Sequence, residues 1–314
     1  MSASPTARSS RRLPVALVAG GAVLLLAALT IVAFTQGAEG ELTAARAIFL
    51  GIVEGVTEYL PISSTGHLIL SERLLGLADT DAAREAADTY AIAIQLGAIL
   101  AVLILYWERI ATMVRGITAA DVEGRRLLTA LVVAFVPAAV IGVLLEGVIK
   151  DRLFGLGPIA AAWIVGGVFI LWLAQHLRII RPGCRLEEIT VRTALIIGVA
   201  QVLALWPGTS RSLVTLAAGV LAGLSLAAAV EFSFLLGLAT LSAATLYELA
   251  KNGSGVVEQF GILNPLLGMI AAAVSAAIAV RWMVTYLQRH SLAIFGWYRL
   301  AVGAALAIGI LLTR

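Results

Sequence analysis

The chain has 314 residues, of which 61% are hydrophobic and only 13% charged, and its net charge is +3. A water-soluble domain carries about 25% charged residues, so this balance, with a mean hydropathy of +0.99, excludes a soluble globule and calls for helices that cross a bilayer. The lone Cys184 excludes an internal disulfide, and His67, His176 and His290 are too few and too scattered for a histidine or cysteine metal cage. No cluster of basic and aromatic residues exists for nucleic acid.

In chain order, the first apolar run is Leu13 to Thr35, preceded by Arg8, Arg11 and Arg12. It exceeds the 7–15 residues, roughly, of a cleaved signal core, and reads as an uncleaved anchor within a segment 1–40, the alternative being a removed signal peptide. Residues 41–314 form the main domain, with repeat halves about 41–176 and 177–314. Its apolar segments lie near 44–70, 88–107, 126–148, 158–176, 193–223, 228–250, 263–283 and 294–313.

Two of these differ from the rest. Segments 44–70 and 193–223 are broken by Pro61 and by Pro207-Gly208, and both carry polar residues at their centres. Broken polar helices persist in a bilayer only where protein or water surrounds them, so both read as re-entrant helix hairpins. Loop charge agrees under the positive-inside rule. Loops 108–125, 177–192 and 281–290 then share the cytoplasmic face and hold more arginines than the loops on the other side. The expected fold is an all-α polytopic membrane protein of seven spans, anchor included, and two re-entrant pairs. The hairpins enter from opposite faces as an inverted-topology repeat. Gly51-Ile-Val-Glu54 echoes Gly198-Val-Ala-Gln201, and Pro61-Ile-Ser63-Ser64 echoes Pro207-Gly208-Thr209-Ser210.

The first break carries Glu54-Gly-Val-Thr-Glu58-Tyr-Leu-Pro61-Ile-Ser63-Ser64-Thr65-Gly66-His67. Four residues apart, Glu54 and Glu58 share a helix face, and paired carboxylates at low dielectric need a proton or a cation between them. That points to a divalent cation, Mg²⁺ or Ca²⁺, with Glu54 and Glu58 as ligands. Beyond Pro61, Ser63, Ser64 and Thr65 offer hydroxyls and amides at a helix start, with His67 near enough to act as base or acid. The second break carries Gln201 and then Trp206-Pro207-Gly208-Thr209-Ser210-Arg211-Ser212. Its amides would face an anion, and Arg211 adds a bidentate phosphate donor. Any one serine, histidine or arginine here has a purely structural reading, as a packing hydroxyl, a hydrogen-bond partner or a helix cap. Paired acids also suit an ion path. Their coincidence at two breaks favours chemistry.

On these two motifs the chain resembles the undecaprenyl-diphosphate phosphatase family associated with bacitracin resistance. Gln95-Leu96-Gly97, Glu231-Phe-Ser233-Phe-Leu-Leu236 and Trp297-Tyr298-Arg299 extend the resemblance over about 41–314. It implies a bacterial inner-membrane hydrolase with its site open to the periplasmic side and a polyprenyl diphosphate lipid as substrate. It also implies Glu58, Ser64, His67 and Arg211 as catalytic residues. Ser63, Thr65, Gln201, Thr209, Ser210 and Ser212 would bind the substrate. Whether Ser64, His67 or water attacks stays open, as does assembly as a homodimer. A lipid flippase is the rival reading.

Overall fold

A computed structural model describes residues 29–35, 41–77, 81–119, 121–177 and 183–313, and these are helical apart from short connections. Most of the expected anchor, with Arg8, Arg11 and Arg12, lies outside the described residues, as do Arg178 and Arg181. Its last part, 29–35, is helical. Phe34 there packs edge-on against Phe49 at 5.7 Å, and buried Arg46 donates to the Ala33 carbonyl at 3.0 Å.

The first polar segment is a helix, a break and a helix. α1 (Ala44–Tyr59) starts at Thr43, whose side chain accepts the Arg46 amide at 3.3 Å. It stops because Pro61 forces Leu60 out of helical geometry, to φ −75° and ψ 148°. α2 (Ser64–Leu74) follows. At 16 and 11 residues these helices reach about 24 and 16 Å, short of a hydrocarbon core of roughly 30 Å.

Next come α3 (Asp81–Leu105) and α4 (Trp107–Thr118), which meet at a bend of 77°. Most of the expected loop 108–125 is therefore helical. α4 buries Met113 and Gly116 and exposes Glu108, Arg115 and Trp107, so its sequence satisfies an amphipathic helix rather than a loop. α5 (Val122–Leu153) begins at Asp121, whose carboxylate accepts the Gly124 amide at 3.0 Å, and α6 (Leu156–His176) closes the first half.

The second half repeats this order. α7 (Val191–Gln201) is capped by Thr190, runs into a 3₁₀ turn at Val202–Leu205, and is followed by α8 (Arg211–Leu221). α9 (Leu226–Phe260), α10 (Leu263–Leu287) and α11 (Ala293–Leu312) complete the chain. Among the described residues five helices are long and apolar enough to cross a membrane, or six if the bent α3–α4 pair counts as one.

Packing follows the same exchange of halves: α1 lies against α10, α7 against α5, and α6 against α11. Small residues permit the close approaches, as they do in membrane interfaces generally. A Cβ on Gly198 would stand 2.6 Å from the Ala134 carbonyl oxygen of α5, and one on Gly167 would stand 2.9 Å from that of Gly296 in α11.

The two breaks share one backbone device. Ser63 has φ 75° and ψ 100°, and Ser210 has φ 76° and ψ 109°; no other non-glycine residue described has a positive φ. These serines define the register of the repeat and correct the pairing read from sequence by one residue. Glu54 and Gln201 each precede their serine by the same interval, but Pro61 corresponds to Gly208 rather than Pro207.

Candidate active site

Glu58 occupies the last turn of α1, with a side chain only 6% exposed. Below it Tyr59 is fully buried, donates to the Ala98 carbonyl at 3.1 Å and packs edge-on against Phe234 at 5.3 Å, so the end of α1 has little freedom to move. Each Glu58 oxygen has a partner. Arg211 Nη2 donates to Oε1 at 2.8 Å, and Ser64 Oγ donates to Oε2.

Arg211 opens α8 as Ser64 opens α2, each one residue after its positive-φ serine. Its Nη1 donates to the Ser233 carbonyl on α9 at 2.9 Å, and its Cζ lies 5.8 Å from the centre of the Tyr59 ring. Gly237 makes room for it, since a Cβ there would meet the guanidinium. Hydroxyls tie the breaks together. Ser212 Oγ donates to the Leu60 carbonyl at 2.9 Å and lies 3.0 Å from Ser210 Oγ. Thr215 and Ser233 hydroxyls meet at 2.6 Å beneath them.

These groups form one wall of a cavity of about 610 Å³. Glu58, Ser63, Ser64, Thr65, Gln201, Ser210 and Arg211 line it. Opposite them the walls are largely apolar, among them Phe135, Ala138, Gly142 and Leu205. Glu146, Tyr247 and Glu248, beyond the sites chosen from sequence, sit toward the far ends of α5 and α9, where Tyr247 donates to Glu146 at 3.3 Å.

Four expected site residues do not line the cavity. Ser212 and Thr209 support it from behind, Ser212 through Leu60 and Thr209 through its carbonyl, which accepts from Arg299 at 3.1 Å. His67 lies off the cavity wall. Its Nδ1 lies 2.6 Å from the Ser63 carbonyl one turn back, its Nε2 lies 2.8 Å from the Tyr298 hydroxyl on α11, and its ring packs 4.7 Å from that of Trp163. A nitrogen facing a carbonyl must carry the proton, which leaves Nε2 to accept from Tyr298. Both nitrogens are thus engaged away from the cavity, so in this arrangement His67 holds Ser63. The group in contact with Ser64 Oγ is Glu58.

Glu54 is the fourth. It is 1% exposed, off the cavity wall, and its Oε1 has no hydrogen-bond partner. Among the described residues no group of three or more His, Cys, Asp and Glu could hold a metal ion. The described residues therefore build no closed protein cage. Mg²⁺, which takes one or two carboxylates and completes its shell with waters and phosphate oxygens, fits Glu58 at the wall of the cavity.

Sequence reasoning did not select Gln95, Ser233 or Arg299. Gln95 lines the cavity and its Oε1 accepts from Thr245 at 3.0 Å. Both Gln95 and Arg299 are polar residues inside apolar segments, a signal that was present in the sequence. Ser233 meets Arg211 through its main-chain carbonyl, a contact for which side-chain type gives no signal.

The arrangement is suited to acyl or phosphoryl transfer. A hydroxyl is bonded to a carboxylate that can take its proton, beside a guanidinium and a helix N-terminus that can hold an anion.

Comparison with known proteins agrees. The family model for bacitracin resistance protein BacA matches residues 47–305. An undecaprenyl-diphosphatase of Sorangium cellulosum is 48% identical over 262 residues, covering 82% of this chain and 83% of that protein. Undecaprenyl-diphosphatase 2 of Rhodospirillum rubrum is 44% identical over 258 residues, covering 82% and 92%. Undecaprenyl-diphosphatase 1 of Chromobacterium violaceum is 44% identical over 259 residues, covering 82% and 93%. With both motifs converging on one cavity and the match spanning most of its length, the chain belongs to the bacitracin resistance protein BacA family.

Proposed function

We propose that this chain hydrolyses undecaprenyl diphosphate to undecaprenyl phosphate and inorganic phosphate. The reaction returns the lipid carrier to peptidoglycan synthesis and confers bacitracin resistance. One observation carries the reading: Glu58 bridges Ser64 and Arg211 on a polar wall of a cavity whose other lining is largely apolar, with Glu146, Tyr247 and Glu248 at its far end. The diphosphate takes the polar wall and the polyprenyl chain the apolar ones.

In the reaction, Arg211 and the first-turn amides of α2 hold the terminal phosphate, where charge spreads over its oxygens. Ser64 Oγ attacks the terminal phosphorus as the bond to the bridging oxygen breaks and undecaprenyl phosphate leaves. Glu58 receives the serine proton, passes it to the departing phosphate, and then takes a proton from the water that cleaves phosphoserine. A divalent cation held by Glu58 and the phosphate oxygens would neutralise further charge. Ser63, Thr65, Gln201 and Ser210 complete the phosphate side of the cavity.

We further propose that α1–α2 and α7–α8 are re-entrant pairs in the inner membrane and that the cavity opens to the periplasmic face. Arg109, Arg125 and Arg126 cluster at the start of α5, whereas the cavity is lined from Phe135 to Glu146 of that helix, toward its other end. Basic ends stay in the cytoplasm, which supports a mouth on the opposite side. The test is phosphate release from undecaprenyl diphosphate by purified protein in detergent, with and without a chelator, beside trapping of a phosphoenzyme. Phosphate release abolished by Ser64→Ala supports the reading. A protein that moves the lipid across vesicles without releasing phosphate overturns it, and a phosphoenzyme that survives Ser64→Ala removes serine as nucleophile.

A further inference from the structure

Arg299 is the most deeply buried cation described, with no exposed surface at all. It sits on α11, outside the cavity wall, and among the described residues no carboxylate pairs with it. Its five acceptors are main-chain carbonyls. Nη2 donates to Ala162 at 2.7 Å and Gly208 at 2.8 Å, Nη1 to Thr209 at 3.1 Å and Pro61 at 3.4 Å, and Nε to Trp163 at 3.4 Å. A guanidinium so far from water is costly unless its donors are satisfied, and here the oxygens that satisfy it come from both broken segments and from α6.

Pro61 precedes Ser63 and Ser64, while Gly208 and Thr209 precede Ser210 and Arg211. Arg299 therefore reaches both sequences that set the positive-φ serines. Break residues lack the regular ladder that would fix their carbonyls, and any carbonyl oxygen turned toward the cavity would repel a diphosphate. Three of these oxygens are instead drawn to a cation on the side away from it. Gly166 of α6 supplies the space, since a Cβ there would stand 2.7 Å from Arg299 Cζ.

We infer that Arg299 is a positioning residue for phosphoryl transfer, a buried cation that gathers the carbonyls of both broken segments and so aims Ser64 and Arg211 at one diphosphate. The inference rests on the phosphatase reading. It separates headgroup placement from lipid binding, because the polyprenyl chain meets apolar walls that Arg299 does not touch.

The experiment uses the purified full chain with Arg299→Gln, Arg299→Lys and Gly166→Ala. It measures kcat and KM for undecaprenyl diphosphate, the Kd for inorganic pyrophosphate, and the melting temperature in detergent. A misplacement of about 1 Å costs on the order of 100-fold in rate. Arg299→Gln is expected to lower kcat by about that factor, leave KM within about threefold, and weaken pyrophosphate about tenfold. Arg299→Lys, with its charge and three donors, recovers about tenfold of the rate. Gly166→Ala, whose added methyl meets the Arg299 guanidinium first, lowers kcat about tenfold. A folded Arg299→Gln protein that keeps kcat and pyrophosphate affinity overturns the inference. If that variant does not fold, unchanged kcat in Gly166→Ala overturns it instead. A wild-type chain that binds pyrophosphate but releases no phosphate refutes the phosphatase reading, and the pyrophosphate Kd of the variants then decides the role of Arg299 alone.

Discussion

Glu58→Gln separates the two duties assigned to one carboxylate. The amide keeps the shape and one acceptor oxygen but loses the charge, so it cannot accept from both Ser64 and Arg211 as the carboxylate does. The ion pair is largely dry, with the Arg211 and Glu58 side chains 12% and 6% exposed. Removing one partner of a buried pair costs about 3–5 kcal/mol. Arg211 keeps its bond to the Ser233 carbonyl at 2.9 Å, and Gln retains one acceptor, so a loss at or below the lower limit of that range, about 2–3 kcal/mol, is expected in the free protein. On the reaction itself, loss of a general base costs roughly 10²–10⁴ in rate, or about 3–5 kcal/mol of barrier. Binding should move the other way. Once Glu58 no longer competes for Arg211, the guanidinium is free for phosphate. Steady-state hydrolysis in detergent, with melting curves at rising pyrophosphate, reads all three effects. Expected are a kcat lower by 10²–10⁴, a KM unchanged or lower, and a larger pyrophosphate-induced rise in melting temperature than in wild type. A kcat within tenfold of wild type would falsify the base assignment, and a raised KM with normal kcat would reassign Glu58 to substrate binding.

His67→Gln should lower kcat about tenfold by loosening Ser63, yet leave the pH profile unmoved, because neither ring nitrogen faces the cavity; a shifted limb would restore His67 as acid or base. Gly237→Ala drives a methyl against the Arg211 guanidinium and is expected to raise the pyrophosphate Kd about tenfold, an outcome that isothermal titration checks and that an unchanged Kd would contradict. Gly142→Leu fills the apolar wall near Leu205, so KM should rise for the undecaprenyl substrate but not for a short-chain diphosphate; equal effects on both would move the chain elsewhere. At the other end of the molecule Arg109 bonds Glu123, Glu187 and Glu231 at 3.0, 2.8 and 2.6 Å. The Glu187 carboxyl is held below its ordinary value of 4.5 by its own backbone N–H and then by Arg109. A depressed carboxyl stabilises the fold above its unfolded pKa, and that stability is lost as pH falls through the folded one. Melting temperature should therefore drop below about pH 4.5, with a shallower drop in Glu187→Gln; identical curves would show that Glu187 does not carry it.

Both breaks were legible because Pro61 and Pro207-Gly208 stop helices in any solvent, and because Glu58 and Arg211 inside apolar runs demand a partner. The helix start at Ser64 was legible from the break at Pro61. Three features were not. α4 read as a loop because its charges hid an amphipathic face, and a 77° bend has no proline or glycine at Tyr106 to announce it. The direction of the His67 ring was hidden because spacing along a helix fixes which residues are near, while the rotamer held by Ser63 and Tyr298 fixes where the ring points. Arg299 carried the same signal as Arg211, a cation inside an apolar segment, but its partners are carbonyls, and main-chain acceptors leave no trace in residue type.

The deeper regularity lies in what the two repeats share and where they part. Each places a serine at positive φ, a conformation that costs about 1–2 kcal/mol for a residue with a side chain, immediately before a helix of 11 residues. The first helical residue is Ser64 in one and Arg211 in the other, so one backbone solution presents a hydroxyl and a guanidinium to the same space. Capping differs in the same sense. Ser210 spends its hydroxyl on the Leu213 amide at 3.3 Å, whereas Ser63 makes no side-chain cap bond. The α8 terminus is thereby partly satisfied from within, and its guanidinium supplies the positive charge. The α2 terminus keeps its amides for a ligand. Glu54 and Gln201 diverge likewise, the carboxylate buried behind the wall and the neutral amide facing the cavity, where a second negative charge would oppose the diphosphate. A symmetric frame yields an asymmetric site because Arg211 brings a guanidinium where the other repeat brings the Ser64 hydroxyl, and Gln201 brings a neutral amide where the other repeat brings Glu54.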